Sequence, residues 1–194
     1  IDLVNAYIML LVSAIAALVM VYAPKSAAHE LPPDRHNLFC AAFLMCLTGL
    51  LGITITGDAF NVYVFLEISS LASYAIISTG RDPRSLKAAY NYLIMGTIGA
   101  TFILIAIGLM YMMTGTLNMA DMADRLTDLH GLATVQTAFA FILVGAGIKF
   151  AMFPAHAWMP NAYTYAPSLV SAFFGATATK VGAYILIRFI YNVF

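Results

Sequence analysis

Residues 86–113 read LKAAYNYLIMGTIGATFILIAIGLMYMM, an apolar run with one charge, Lys87, near its start. Spanning about 30 Å of hydrocarbon takes roughly 20 helical residues. This run exceeds that length, so it must tilt or emerge into water. The rest of the chain has the same character. Of 194 residues, 62% are hydrophobic and 9% charged, against about 45–50% and about 25% in soluble domains. Mean hydropathy is +0.90. Charges that sparse cannot cover a soluble surface, which excludes disorder, a small secreted scaffold and an ordinary soluble enzyme. The 9 basic and 9 acidic residues cancel, so no basic surface is offered and nucleic acid is excluded as a partner.

Further apolar segments near 3–22, 37–56, 59–79, 134–160 and 167–192 bring the crossings to about six. Polar breaks separate them: Ala23 to His36 with Pro24, Pro32 and Pro33; Thr56-Gly57-Asp58; Gly80-Arg81-Asp82-Pro83; and Gly115 to Gly131. The runs are too long for strands and lack polar alternation. The reading is an all-α polytopic membrane protein of about six transmembrane helices, one of them discontinuous. Loop cations orient it. Lys25, Arg35, Arg81, Arg84 and Lys87 fall on one side, Arg125 and Arg188 on the other. The positive-inside rule puts the first group in the cytoplasm and residue 1 on the outer side. A start at Ile1 without a basic leader, and an end at Phe194 just past an apolar segment, predict a piece of a longer membrane subunit. Asp2, Asp58 and Arg188, lone charges at helix ends, are expected to face headgroups or water. Cys40 and Cys46 lie six apart in one segment, point in different directions, and read as buried thiols.

Gly96, Gly99 and Ala100, and again Gly175, Ala176, Ala178, Thr179 and Gly182, form smooth patches that let helices approach closely. In the outer loop, Asn118 reads as the cap of a short helix whose first turn holds Asp121. Asp121, Asp124 and Asp128 read as a solvated face rather than a metal site.

Three charges lie at mid-segment depth: Glu67, Lys149 and Lys180. Each costs about 2.5–3.5 kcal/mol at a helix centre, and the three together cost on the order of 8–10 kcal/mol against lipid. They must face protein or water. One reading is a buried ion pair that only positions two helices. Such a pair uses two of the three charges, and desolvation offsets its attraction. The other reading is proton or cation translocation. Burial disfavours the charged form of acid and amine alike, and coupling between them lets one control the other's proton.

Residues 145–160, GAGIKFAMFPAHAWMP, bear on the same question. Pro154 has no amide to donate and would clash with the carbonyl of Phe150. A break just after Lys149 is predicted, freeing carbonyls beside protein or a wet cavity; Pro160 repeats the problem. His156 falls two turns beyond Lys149 if the helix resumes. It reads either as a proton relay towards the cytoplasmic face or as a satisfied structural histidine, and it has no companion at metal-ligand spacing. Trp158 reads as an interface anchor or a packing residue. Ser69, Ser70 and Ser73 around Glu67, Thr177 and Thr179 around Lys180, and Asn91 and Tyr92 serve either helix packing or water. No nucleophile–base pair, phosphate loop or haem signal is present, so no cofactor is expected.

Three stretches carry a family likeness: TGDAFNVYVFLEISSLASY (56–74), MTGTLNMADMA (113–123) and KFAMFPAHAWMPNAYTYAPSLVSAFFGATATKVGAYILIRF (149–189). The chain resembles the antiporter-like subunits of Mrp-type multisubunit cation/proton antiporters, their D-type branch above all, and the related proton-pumping membrane subunits of respiratory complex I. The resemblance implies that Glu67 pairs with Lys149 and modulates its proton. It implies that Lys180 passes protons onward along a hydrated axis. It implies two inverted five-helix repeats, of which this chain holds the first at 37–194, after a preceding helix and cytoplasmic loop at 1–36. Other membrane subunits, protons, Na⁺ or K⁺, and a bacterial inner membrane follow as expectations. The alternatives it leaves are a pumping subunit of an NADH-quinone oxidoreductase or membrane hydrogenase, and a structural subunit. Asn161 departs from the aspartate common at that position in relatives. It keeps hydrogen-bonding capacity and loses the titratable charge, which weakens the relay reading of His156.

Overall fold

Residues 2–194 are described in the computed structural model; Ile1, expected on the outer side, lies outside the described residues. The helices are α1 (Leu3–Glu30), α2 (His36–Ile55), α3 (Ala59–Ser78), α4 (Arg84–Thr114), α5 (Met119–Leu126), α6 (Ala133–Lys149), α7 (Trp158–Tyr165), α8 (Ser168–Ala176) and α9 (Ala178–Asn192). Among the described residues, five spans are long and apolar enough to cross a membrane: α1, α2 with its lead-in turn, α3, α4, and α8 with α9. Helix α6 is shorter, at 17 residues. The protein is an all-α polytopic membrane chain.

Short polar side chains start the helices by taking the amides that a first turn leaves free. Asp2 accepts from Asn5 and Asp58 from Asn61, each at 2.8 Å. Asn118 caps α5 as its sequence predicts, accepting from Ala120 and Asp121. The two aspartates at helix ends thus also serve as caps. Arg188 departs from expectation. Its side chain is 15% exposed and donates to Asn5 Oδ1 at 2.6 Å and to the Tyr184 hydroxyl at 2.8 Å. A cation that can reach two buried oxygens is better satisfied there than at the headgroups.

Two boundaries move. Helix α1 continues past Pro24 to Glu30, where a polar loop was expected from Ala23. A proline near a helix end removes one hydrogen bond, and other bonds hold the last turns. Ser26 donates to Glu30 at 3.0 Å, Leu31 N–H reaches Ala27 at 3.0 Å, and the Glu30 carboxylate takes the amide of Ser168 at the head of α8. Residues 134–160 are interrupted just after Lys149, as expected, but the gap is longer than one kink. Helix α6 stops at Lys149, an irregular stretch follows, and α7 begins at Trp158. Pro160 sits in the first turn of α7, where no bond to an earlier carbonyl is lost. The final segment is itself broken at Thr177 (φ −121°, ψ −56°), a discontinuity that the sequence does not signal.

Small residues set the packing. The Gly99 and Gly145 backbones touch where α4 crosses α6: a Cβ on Gly145 would lie 2.7 Å from the Gly99 carbonyl. Gly96 makes room for the Tyr74 hydroxyl, and Gly182 for the Cβ of Phe150. Where α3 and α5 begin, their two lead-in loops are laced by backbone bonds, Ala59 to Leu117 at 2.8 Å and Met119 to Gly57 at 2.9 Å. Of the cysteines, Cys46 is buried and Cys40 is exposed, correcting the expectation for the latter.

Candidate functional site

Glu67 and Ser70 stand one turn apart on α3, so both side chains emerge from the same face. Lys149, the last residue of α6, reaches that face. Its ammonium donates to Glu67 Oε1 at 3.0 Å and to Ser70 Oγ at 2.9 Å. The lysine side chain is 5% exposed and the glutamate 23%. One partner is sealed, and the other keeps an opening.

The end of α6 is what aims the lysine. Met152 N–H returns to Gly147 at 2.8 Å and Ala151 N–H to Ile148 at 3.2 Å, with Ala151 left-handed at φ 59°. This is a Schellman closure with alanine where glycine is usual. Trp158 completes it, donating its indole N–H to the Ile148 carbonyl at 3.0 Å. The Gly147 and Ile148 carbonyls at the break are therefore taken up again, because the chain turns three residues ahead of Pro154 and brings Trp158 back over the stub. Trp158 is a packing residue: buried, and stacked on Tyr92 at 4.0 Å with the rings 1° from parallel. Tyr74 also meets Tyr92, edge-on at 4.6 Å.

Beside the ion pair lies a cavity of about 30 Å³. Ser69, Ser70, Ser73, Lys149 and Tyr92 contribute to its walls, with Ala178, Val181, Gly182 and Ile185 of α9 opposite. A volume of that size with several polar partners is sufficient for about one water. Ser73 also donates to the Ser69 carbonyl at 2.7 Å and lies 3.5 Å from the Cys46 sulfur. The serines, ambiguous in sequence, thus face the lysine and the cavity. The sequence missed Tyr74 and Cys46, whose ordinary apolar surroundings give no signal.

Lys180 and His156 lie apart from this cluster. Positions 178, 181, 182 and 185 face the cavity, and at 3.6 residues per turn Lys180 occupies the opposite side of α9. It is exposed, and its ammonium donates to the Gly175 carbonyl at the α8–α9 break. His156 is exposed in the stretch between α6 and α7, its ring 5.7 Å from that of Phe153. The helix does not resume before it, so the two-turn spacing from Lys149 is not realised.

Comparison with known proteins agrees with this architecture. Residues 56–194 match the family described as NADH:quinone oxidoreductase/Mrp antiporter, transmembrane. The N-type subunit of the NADH-quinone oxidoreductase of Desulforudis audaxviator (strain MP104C) is 52% identical over 161 residues, covering 83% of this chain and 32% of that protein. The D-type subunit of the Na⁺/H⁺ antiporter of Bacillus subtilis (strain 168) is 30% identical over 187 residues, covering 96% of this chain and 37% of that one. Among solved structures, the membrane-bound sulfane sulfur reductase, an archaeal respiratory membrane complex, superposes with a TM-score of 0.89 at 33% identity, over 97% of this chain and 38% of its counterpart. The chain spans about a third of the length of these relatives. A family match over most of the chain, carried on the same helices that build the Glu67–Lys149 site, means that this protein belongs to the NADH:quinone oxidoreductase/Mrp antiporter family of transmembrane subunits.

Proposed function

We propose that the chain is the first five-helix repeat, with one preceding helix, of a subunit that translocates protons through buried Glu and Lys side chains. One observation carries the reading: Lys149 is sealed from the surface yet bonded to a partly open carboxylate and to a hydroxyl that borders a small cavity with three serines in its otherwise largely apolar wall. With Glu67 bonded, the ammonium form is held. When the carboxylate withdraws, the buried amine is left to pass its proton to a cavity water, and it takes a new proton when Glu67 returns. His156, exposed in the stretch between α6 and α7, suits delivery from the cytoplasm. Lys180, on the exposed face of α9, suits onward transfer out of this repeat. The relatives' names support assembly with other membrane subunits and exchange for a monovalent cation such as Na⁺. A bacterial inner membrane, with the basic loops inside, agrees with the charge asymmetry.

The 52% identity to a quinone oxidoreductase subunit favours a second reading, in which a redox partner drives the same proton path. Membrane vesicles separate the two. Proton movement started by a Na⁺ or K⁺ pulse supports the antiporter; movement started by NADH supports the pump. In either case Lys149→Ala should abolish transport while insertion and assembly persist. Equal loss of assembly would instead establish a purely structural ion pair.

A further inference from the structure

At the basic end of the bundle α4 and α7 enclose a groove of about 210 Å³, lined by Arg84, Lys87, Ala88, Asn91, Asn161 and Tyr165. Its lining holds two cations, two amides and no acid. Arg84 is fixed at the rim, its guanidinium 4.5 Å above the Tyr165 ring. Asp82, outside the lining, takes the Nε and Nη2 edge of that guanidinium, so the local balance remains one positive charge. Among the described residues, the Lys87 ammonium and the Asn91 and Asn161 amides have no hydrogen-bond partner. These donors converge on a space larger than a single water needs.

We propose that this groove binds the phosphate of an anionic phospholipid, whose acyl chain lies along Ile94 and Ile98. Lys87, Asn91, Ile94 and Ile98 follow one another along a single face of α4. The face runs from charge, through amide, to isoleucines that are 44% and 43% exposed. That order matches a lipid read from phosphate to ester to hydrocarbon. Free phosphate would use the first part of the face alone. Basic pockets between helices on the inner leaflet side recognise such headgroups, and each added cation strengthens binding about fivefold. Asn161 matters to this selectivity, because a carboxylate there would cancel the remaining charge.

The test uses the full-length protein in its native complex, held in mild detergent and titrated with phosphatidylglycerol, phosphatidylcholine or inorganic phosphate. Adducts are counted by native mass spectrometry. Phosphatidylglycerol is expected to bind about fivefold more tightly than phosphatidylcholine. Lys87→Glu should weaken it twenty- to thirtyfold and Asn161→Asp about fivefold, with Lys25→Glu, on another helix, leaving it unchanged. Equal affinity for the two lipids overturns the proposal, as does unchanged phosphatidylglycerol binding in Asn161→Asp. That nearly isosteric variant decides the matter if Lys87→Glu does not fold. Displacement of the lipid by inorganic phosphate alone would identify a free-phosphate site and overturn the lipid assignment.

Discussion

Ser70 accepts from Lys149 at 2.9 Å, one turn past the carboxylate that holds the same ammonium, so a single face of α3 supplies both acceptors. Removing either acceptor leaves a buried charge short of a partner. Ser70→Ala is expected to lower the unfolding free energy by about 1.5–3 kcal/mol, the range for a hydrogen bond to a charged group. Unfolding in mixed micelles measures this. An unchanged midpoint would mean that water replaces the hydroxyl.

Ala151 holds a left-handed conformation at φ 59° in the turn that ends α6. A Cβ in that region costs about 1–2 kcal/mol. Ala151→Gly is expected to stabilise the protein by about 1 kcal/mol, after the greater freedom of glycine in the unfolded chain is counted. The same unfolding assay reads it, and a loss of stability would contradict the assignment of this turn.

The start of α1 and the end of α9 meet at Asn5, which receives the Tyr184 hydroxyl and the Arg188 guanidinium, each at 2.6 Å. Asn5→Leu deprives both donors at once. A destabilisation of about 2–4 kcal/mol is expected, with α1 separating first. Protease sensitivity of the segment before Pro32 would report that separation.

Helix α5 should respond to acid. The Thr116 hydroxyl, and after it the Arg125 guanidinium at 2.9 Å, hold the Asp121 carboxyl below its usual 3.8. A depressed folded-state value gives stabilisation that is complete above the unfolded value and is lost as pH falls through the folded one. Amide exchange protection over Met119–Leu126 should therefore hold from neutrality down to about pH 5 and decline below about pH 4. Asp121→Asn should remove the decline.

Hydropathy made the spans legible, because runs such as 86–113 have no stable place in water. The depth of Glu67 and Lys149 made the site legible, because a charge far from both ends of an apolar run must find a partner. Where the chain bends was harder to read. Pro24 looked like a helix stop, yet contacts between Glu30 and α8, more than a hundred residues away, carry α1 past it. Pro154 pointed to the correct break for an incomplete reason: the stop is a left-handed alanine, to which sequence pattern is blind. Thr177 gave no warning at all, since a broken helix there keeps the composition of an intact one. The side of α9 that Lys180 occupies depends on that break.

Phe150, the residue after Lys149, rests its Cβ against Gly182, two positions beyond Lys180. The stub that aims one amine and the helix that carries the other therefore share a bearing with no slack between its parts. Lys149 and Lys180 are in this way tied to one packed joint, and a bulkier residue at position 182 would collide with Phe150.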